Sequence, residues 1–277
     1  MTDITFLRQQ AAQEYPLLWK KMIEEWKSNN HIDSLWLTYS TNYLLNTGGF
    51  RWAIDPYSLF TRVGGGEQPD FARDLADLKL VVLTHAHSDH LDLNLIKGAQ
   101  HLDIQWVIPR FMLDKVKQTA DIEDSKVIVP EPGKVINLEG LKLYPFEGLH
   151  FRGDSGVEEM GYLVEFGGKR WLFPGDTRSY NFEKLIGFGE LDAVIAHLWL
   201  GKAEALKQKP SLLMDFCSFF TKFQTSKIVV THLREYGREL EDFWDLHHFQ
   251  MVKTTIHHIA PDVKLNAALL GERVQLM

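Results

Sequence analysis

Leu78-Lys79-Leu80-Val81-Val82-Leu83-Thr84-His85-Ala86-His87-Ser88-Asp89-His90 is the stretch that decides how this chain is read. Its first half is short, apolar and rich in β-branched residues, the composition of a buried strand. Its second half places three imidazoles and a carboxylate within six positions. The cluster therefore falls at the C-terminal end of a strand, where α/β sheets usually gather their ligand sites. Neutral imidazole nitrogens and carboxylate oxygens are donors that suit zinc, iron and manganese. The local reading is a metal site.

Four side chains are too few for two metals, and the sequence offers further donors at similar places. His150 follows the strand-like run ending Tyr144-Pro145-Phe146, Asp176 follows Trp171-Leu172-Phe173-Pro174-Gly175, and His232 closes Lys227-Ile228-Val229-Val230-Thr231. Each is a ligand-type residue at the end of an apolar run, so residues remote in sequence can converge at one sheet edge. In this order the H-x-H-x-D-H motif, the lone His, the Gly-Asp and the final His resemble the metallo-β-lactamase-fold hydrolase superfamily. Ile54-Asp55-Pro56 is similar to that family's early strand-end Asp, which supports the metal loop without binding metal. The resemblance runs over about residues 34–277.

Carried over residue by residue, it implies that His85, His87 and His150 hold one metal, that Asp89, His90 and His232 hold a second, and that Asp176 bridges them. Asp89, Asp176 and His197 are then the residues expected to serve catalysis. The implied cofactor is a pair of divalent ions, zinc first, with manganese or iron accepted by the same donors. Metal lowers the pKa of bound water from about 15.7 to roughly 7, and two metals can share the resulting hydroxide. The implied reaction is hydrolysis of an ester, lactone or phosphodiester by a metal-bridging hydroxide.

Departures from particular branches narrow this. Dinuclear β-lactamases commonly carry Cys where Asp176 stands, and diiron flavoproteins carry Glu where His87 stands. Leu191-Asp192-Ala193-Val194-Ile195-Ala196-His197 is similar to a ribonuclease Z segment ending in His-Glu, but Leu198 takes the place of that Glu. His197 can still reach substrate. The chain looks most like the ascorbate-phosphate lactonase and N-acyl-phosphatidylethanolamine phospholipase D group, which resemblance implies lactone or phosphodiester substrates. Arg178 and Arg234 follow Asp176 and His232 by two residues, and guanidinium suits a phosphate or carboxylate. The rival classes are a ribonuclease Z-like nuclease, a mononuclear iron oxygenase and a binding protein with a degenerate site.

Composition bears on these. The 277 residues are 45% hydrophobic, ample for a large core, and the formal net charge is −7. Polyanion binders usually show a basic footprint, and only scattered pairs such as Lys20-Lys21 occur here, so a small anionic substrate is expected and nucleic acid is not. No apolar run approaches the roughly 18 residues of a membrane span, and the N-terminus lacks the basic and apolar parts of a signal peptide. With Cys217 as the single cysteine, placed in an apolar stretch that reads as core, the expectation is a cytoplasmic protein without an intrachain disulfide.

Along the chain, residues 2–29 read as an amphipathic helix that Pro16 breaks or kinks. That segment, residues 1–33, is expected to be an extension before a hydrolase domain over 34–277. Its aromatic stripe packs on the core by default, with a homo-oligomer contact as the alternative. Residues 35–41, 43–46 and 51–54 read as a hairpin ladder. Gly64-Gly65-Gly66-Glu67-Gln68-Pro69-Asp70 is a flexible loop that lacks the Lys-Ser/Thr ending a phosphate-binding loop. Further strands and short helices alternate, with late helices at 211–222 and 239–259. Periodicity alone supports α/β or α+β; the resemblance makes it a four-layer αβ/βα sandwich.

Overall fold

The hairpin ladder forms as the alternation suggests, but its first strand stops early. In the computed structural model, which describes residues 3–29, 31–64, 68–201, 203–207, 209 and 211–276, β1 covers Ser34–Leu37. It does not run on to Thr41 because the Asn42 side-chain oxygen accepts from the backbone N–H groups of Ser40 and Thr41 at 3.1 and 3.2 Å, which folds the chain into a turn. Three residues of the glycine-rich loop, Gly65, Gly66 and Glu67, lie outside the described residues.

The structure divides into two compact units, residues 1–131 with 269–275 and residues 132–268 with 276–277. In unit 1, helix α1 spans Ile4–Ser28 as one continuous element with Pro16 inside it. Of the expected break or kink, the break is absent. Pro16 denies the Ala12 carbonyl its helical partner, a cost of about 3 kcal/mol, yet Ala11, Tyr15, Trp19, Met22, Ile23 and Trp26 are all buried on one face. Burying a large apolar side chain contributes about 1.5–3 kcal/mol each, so packing outweighs the proline. The face is also pinned by polar tips: the Tyr15 hydroxyl donates to Thr38 O at 3.0 Å, and the indole N–H groups of Trp19 and Trp26 donate to Asp74 Oδ2 and Leu45 O at 2.8 Å.

The sheet of unit 1 begins as an antiparallel meander of β1, β2 (Tyr43–Thr47) and β3 (Phe50–Ile54), with Leu35 opposite Leu45 and Trp36 opposite Leu44. After the short helices α2 (Leu59–Val63) and α3 (Phe71–Asp74) it continues in parallel through β4 (Leu80–Val82), β5 (Gln105–Val107) and β6 (Val127–Ile128). The crossovers carry α4 (Leu93–Ala99) and α5 (Arg110–Lys117). Parallel neighbours demand such crossovers, and every residue of β4 is buried, as a central parallel strand requires.

Unit 2 repeats the plan. β7 (Ile136–Leu138), β8 (Leu141–Glu147), β9 (Met160–Phe166) and β10 (Lys169–Phe173) run antiparallel. Gly167 and Gly168, at φ 56° and 79°, make the two-residue turn between β9 and β10, where both positions need positive φ. β11 (Ala193–His197), β12 (Lys227–Thr231) and β13 (Lys264–Ala267) then add in parallel, with α6 (Leu212–Phe220) and α7 (Leu246–Ile259) in the crossovers. Helix α7 starts seven residues later than the sequence pattern suggests. Asp245 stops it there: its carboxylate accepts from His247 N, and its own N–H donates to His248 Nδ1, a closed cap at the N-terminus. The last strand belongs to unit 1's sheet, where β14 (Arg273–Gln275) pairs antiparallel with β1.

Cys217 sits in α6 with no exposed surface, as expected of a core residue. Burial pushes its thiol up to about 12. The thiolate is the reactive form, so at pH 8 Cys217 should resist Ellman's reagent in the folded protein and react fully in denaturant. Prompt stoichiometric labelling of native protein would contradict this burial.

Candidate metal centre

In unit 1 the strand ends deliver the motif. Asp55 directly follows β3 and His85 lies three residues past β4, its neighbour in the sheet. Asp55 is fully buried at φ 43°, a left-handed conformation that Asp tolerates better than most residues. Its Oδ1 accepts from Thr84 N at 2.8 Å, its Oδ2 accepts from the Thr84 hydroxyl, and Oδ2 lies 2.7 Å from His90 Nδ1. A carboxylate only accepts, so His90 carries its proton on Nδ1 and turns an Nε2 lone pair outward. The Thr41 hydroxyl, 3.0 Å away, donates to that lone pair.

His85 is set in the same way. The Thr84 hydroxyl gives its proton to Asp55, so it accepts from His85 Nδ1 at 3.0 Å, which leaves His85 Nε2 unprotonated. That atom lies 3.2 Å from His87 Nδ1. The His85 and His90 rings are 4.0 Å apart between centroids, and the His85 and His87 rings 4.8 Å. His85, Asp89 and His90 are buried and His87 is half-buried. Asn42 ties the turn before β2 to this loop: its side-chain amide donates to Asp55 O at 2.9 Å and Asp89 O at 2.8 Å. Tyr57 OH and Arg62 hold Ser88 at 2.7 and 2.8 Å.

The donor set fits a metal. Two nitrogens each about 2.0–2.1 Å from a tetrahedral zinc stand about 3.3–3.4 Å apart, close to the 3.2 Å between His85 Nε2 and His87 Nδ1. Asp55 orients the His90 imidazole directly and the His85 imidazole through the Thr84 hydroxyl, the carboxylate arrangement that fixes the tautomer of a ligating His.

Unit 2 places Asp176 after β10, His197 at the end of β11 and His232 directly after β12, three neighbouring strands. His197 Nδ1 donates to Asp176 Oδ1 at 2.7 Å, and both side chains are buried. His232 Nδ1 lies 3.9 Å from the same oxygen, while its Nε2 faces Glu235 Oε2 at 3.3 Å. Glu235 accepts from Nε2 and so leaves Nδ1 as the lone pair. Arg238 Nε donates to Glu235 Oε2 at 2.6 Å, and Arg238 and Arg178 both rest against the Trp199 ring, 4.8 and 5.3 Å from its centroid. Burial pulls the Arg178 guanidinium below its ordinary value, with Asp176 opposing that. His232 and Arg234 adopt φ of 64° and 55°, strained for non-glycine residues. Such conformations cost of order 1–3 kcal/mol and persist where surroundings over-determine them. Here Arg234 N donates to Trp244 O at 2.7 Å, and Leu198 N to Thr231 O at 3.0 Å.

His150 lies past β8 and is buried. Its Nδ1 accepts from Val157 N at 3.2 Å, which puts the proton of the neutral ring on Nε2. Ligation through Nε2 therefore calls for the ring to turn over and give up that bond. The backbone of the Asp176 loop is tied nearby, with Arg178 N and Ser179 N both donating to Leu149 O at 2.9 Å.

Sequence reasoning missed Thr41, Asn42, Trp199, Glu235 and Arg238. Only Glu235 carried a local signal, an acidic residue three positions after His232.

Residues 53–233 match the model of the β-lactamase superfamily domain, well over half of the chain. A metal-dependent hydrolase of Thermus thermophilus is 30% identical over 178 residues, covering 59% of this chain and 72% of its own length. N-acyl-phosphatidylethanolamine-hydrolyzing phospholipase D 1 of Caenorhabditis elegans is 26% identical over 176 residues, 56% of this chain, and the match spans about half of that enzyme, 49%. Igni18, a metallo hydrolase of the archaeon Ignicoccus hospitalis, superposes with a TM-score of 0.60 at 18% identity, over 87% of this chain and 97% of its own, which shows a shared fold. The expected mixed α/β class with two sheets is the one observed. The chain belongs to the β-lactamase superfamily, the metal-dependent hydrolases of the metallo-β-lactamase fold.

Proposed function

We propose that this protein is a dinuclear hydrolase of a small anionic ester, lactone or phosphodiester. His85, His87 and His150 would hold one ion, Asp89, His90 and His232 the other, and Asp176 would bridge them. The observation that carries the metal reading is the Asp55–Thr84–His85 relay, which aims an unprotonated His85 Nε2 at His87 Nδ1 3.2 Å away. Divalent ions held there would supply acidified water and polarise the scissile carbonyl or phosphoryl oxygen.

The chain's own groups do the rest. Asp55 fixes the His90 tautomer, and Glu235 fixes that of His232. His197 holds the Asp176 carboxylate by a charge-assisted bond, so its first role is to orient Asp176, ahead of the contact with substrate expected from sequence. Arg178, anchored to Ser155 Oγ at 3.0 Å and stacked on Trp199, would grip the anionic group of the substrate. The relatives named as a phospholipase D and a metal-dependent hydrolase support hydrolysis of this kind. Among the described residues no helix is long and apolar enough to cross a membrane. A small molecule delivered from solution and a cytoplasmic setting remain part of the same proposal.

Elemental analysis of purified protein, run beside a panel of lactones, phosphodiesters, phosphomonoesters and structured RNA, tests it. Two zinc or manganese ions per chain and turnover of a small anionic ester are expected, with Arg178→Gln raising KM about tenfold or more and changing kcat little. One iron per chain with oxygen consumption would sink the proposal in favour of an oxygenase, and cleavage confined to RNA would replace it with a nuclease.

A further inference from the structure

Asp176 is gripped at two points. Its carboxylate meets His197, and its backbone N–H donates to Glu159 Oε1 at 2.8 Å. Glu159 is 5% exposed and stands immediately before β9, where its own carbonyl accepts from Gly148 N at 2.8 Å. Two glycines back onto its side chain. A Cβ on Gly175, at φ 78°, would lie 2.4 Å from Glu159 Cδ and Oε1; a Cβ on Gly148 would lie 2.6 Å from Oε2 and 2.8 Å from Cγ. Real Cβ atoms essentially never come that close, so the Glu159 side chain occupies the space a Cβ would need at both positions, and at Gly175 the positive φ favours glycine as well.

The two glycines are also the approaches to two proposed ligands. Gly175 precedes Asp176, and Gly148 leads through Leu149 into His150. One buried carboxylate thus sits against both loops and bonds the backbone of one. Burying a carboxylate is costly unless its hydrogen bonds are satisfied, and an apolar side chain of similar volume would fill the gap more cheaply. The polar choice has to serve a purpose that packing does not.

We infer that Glu159 is a positioning residue, which sets the Asp176 loop by accepting its backbone N–H and holds the Gly148–His150 segment against it. This rests on the proposal that Asp176 and His150 bind metal. An acceptor, not merely bulk, is what the geometry asks for.

The test is metal retained by the holoprotein after dialysis against graded chelator, read by elemental analysis, with melting temperature recorded alongside. Glu159→Gln keeps an acceptor oxygen and should retain metal within a fewfold of wild type. Glu159→Leu fills the space without accepting and should release metal at roughly 10–100-fold lower chelator. Wild-type retention in folded Glu159→Leu, or equal loss in both variants, would overturn the inference. Should Glu159→Leu fail to fold, Gly148→Ala attacks the same contact from the other side, since its methyl would push the carboxylate off Asp176 N. Folded Gly148→Ala with undiminished metal overturns it as well. If wild-type protein itself holds no metal, the dinuclear reading has failed; metal in wild type with no response in these variants fails the Glu159 inference alone.

Discussion

Asp55→Ala should destabilise the protein by about 3–5 kcal/mol, the range for removing one partner of a buried charged network. The side chain accepts from three donors: Thr84 N–H, the Thr84 hydroxyl and His90 Nδ1–H. Alanine leaves all of them buried and unsatisfied, at about 1–3 kcal/mol each before relaxation. It also puts a residue that disfavours φ 43° where Asp tolerates it, adding about 1 kcal/mol. Against a total stability of about 5–15 kcal/mol, this endangers folding. Urea denaturation measures it, and a loss below 1 kcal/mol would mean that the Asp55 network contributes little.

Asp55→Asn separates folding from metal binding. The amide keeps the size, the tolerance of positive φ and an acceptor oxygen for Thr84 N. Its NH₂, however, would stand where Oδ2 is and face both His90 Nδ1 and the Thr84 hydroxyl. His90 Nδ1 becomes an acceptor with the ring proton on Nε2, and the Thr84 hydroxyl, no longer donating to residue 55, turns its proton to His85 Nδ1 with the same result. A protonated Nε2 cannot ligate. The expected result is a folded protein with much of the lost stability restored and metal lost at both His85 and His90, read by elemental analysis.

These effects show what the linear sequence carries. The cluster of His85, His87, Asp89 and His90 is legible because imidazoles and carboxylates are chemically distinctive and the four sit close together in sequence. The apolar runs before His85, Asp176, His197 and His232 are legible as strands because β4, β10, β11 and β12 are largely buried and β-branched or aromatic. Glu159, Asn42 and Glu235 are not, because their meaning lies in which backbone they touch. Asn42 reaches 47 residues to Asp89 O, and Glu159 reaches 17 to Asp176 N. Helix α1 persists through Pro16 because tertiary burial overrides local propensity. β13 and β14 escaped notice as short edge strands with a single buried position each.

Asp176→Asn should lower kcat by roughly 10²–10⁴-fold, the largest effect on turnover expected of any conservative change here. The amide is nearly isosteric, and its oxygen can still accept from His197 Nδ1, so stability should change little. What goes is the negative charge that would offset two cations and the second oxygen needed to bridge them, so metal per chain should fall with kcat. His197→Ala acts through Asp176 and should cost less, about 10–100-fold, the usual scale for a group that orients a ligand. Because both changes damage one carboxylate's placement, the double variant should be scarcely worse than Asp176→Asn alone. Multiplicative losses would show that His197 works independently, as a proton donor to the leaving oxygen, and the pH profile of His197→Ala would then lose one limb. Full turnover with both metals in Asp176→Asn would remove Asp176 from the bridging position altogether.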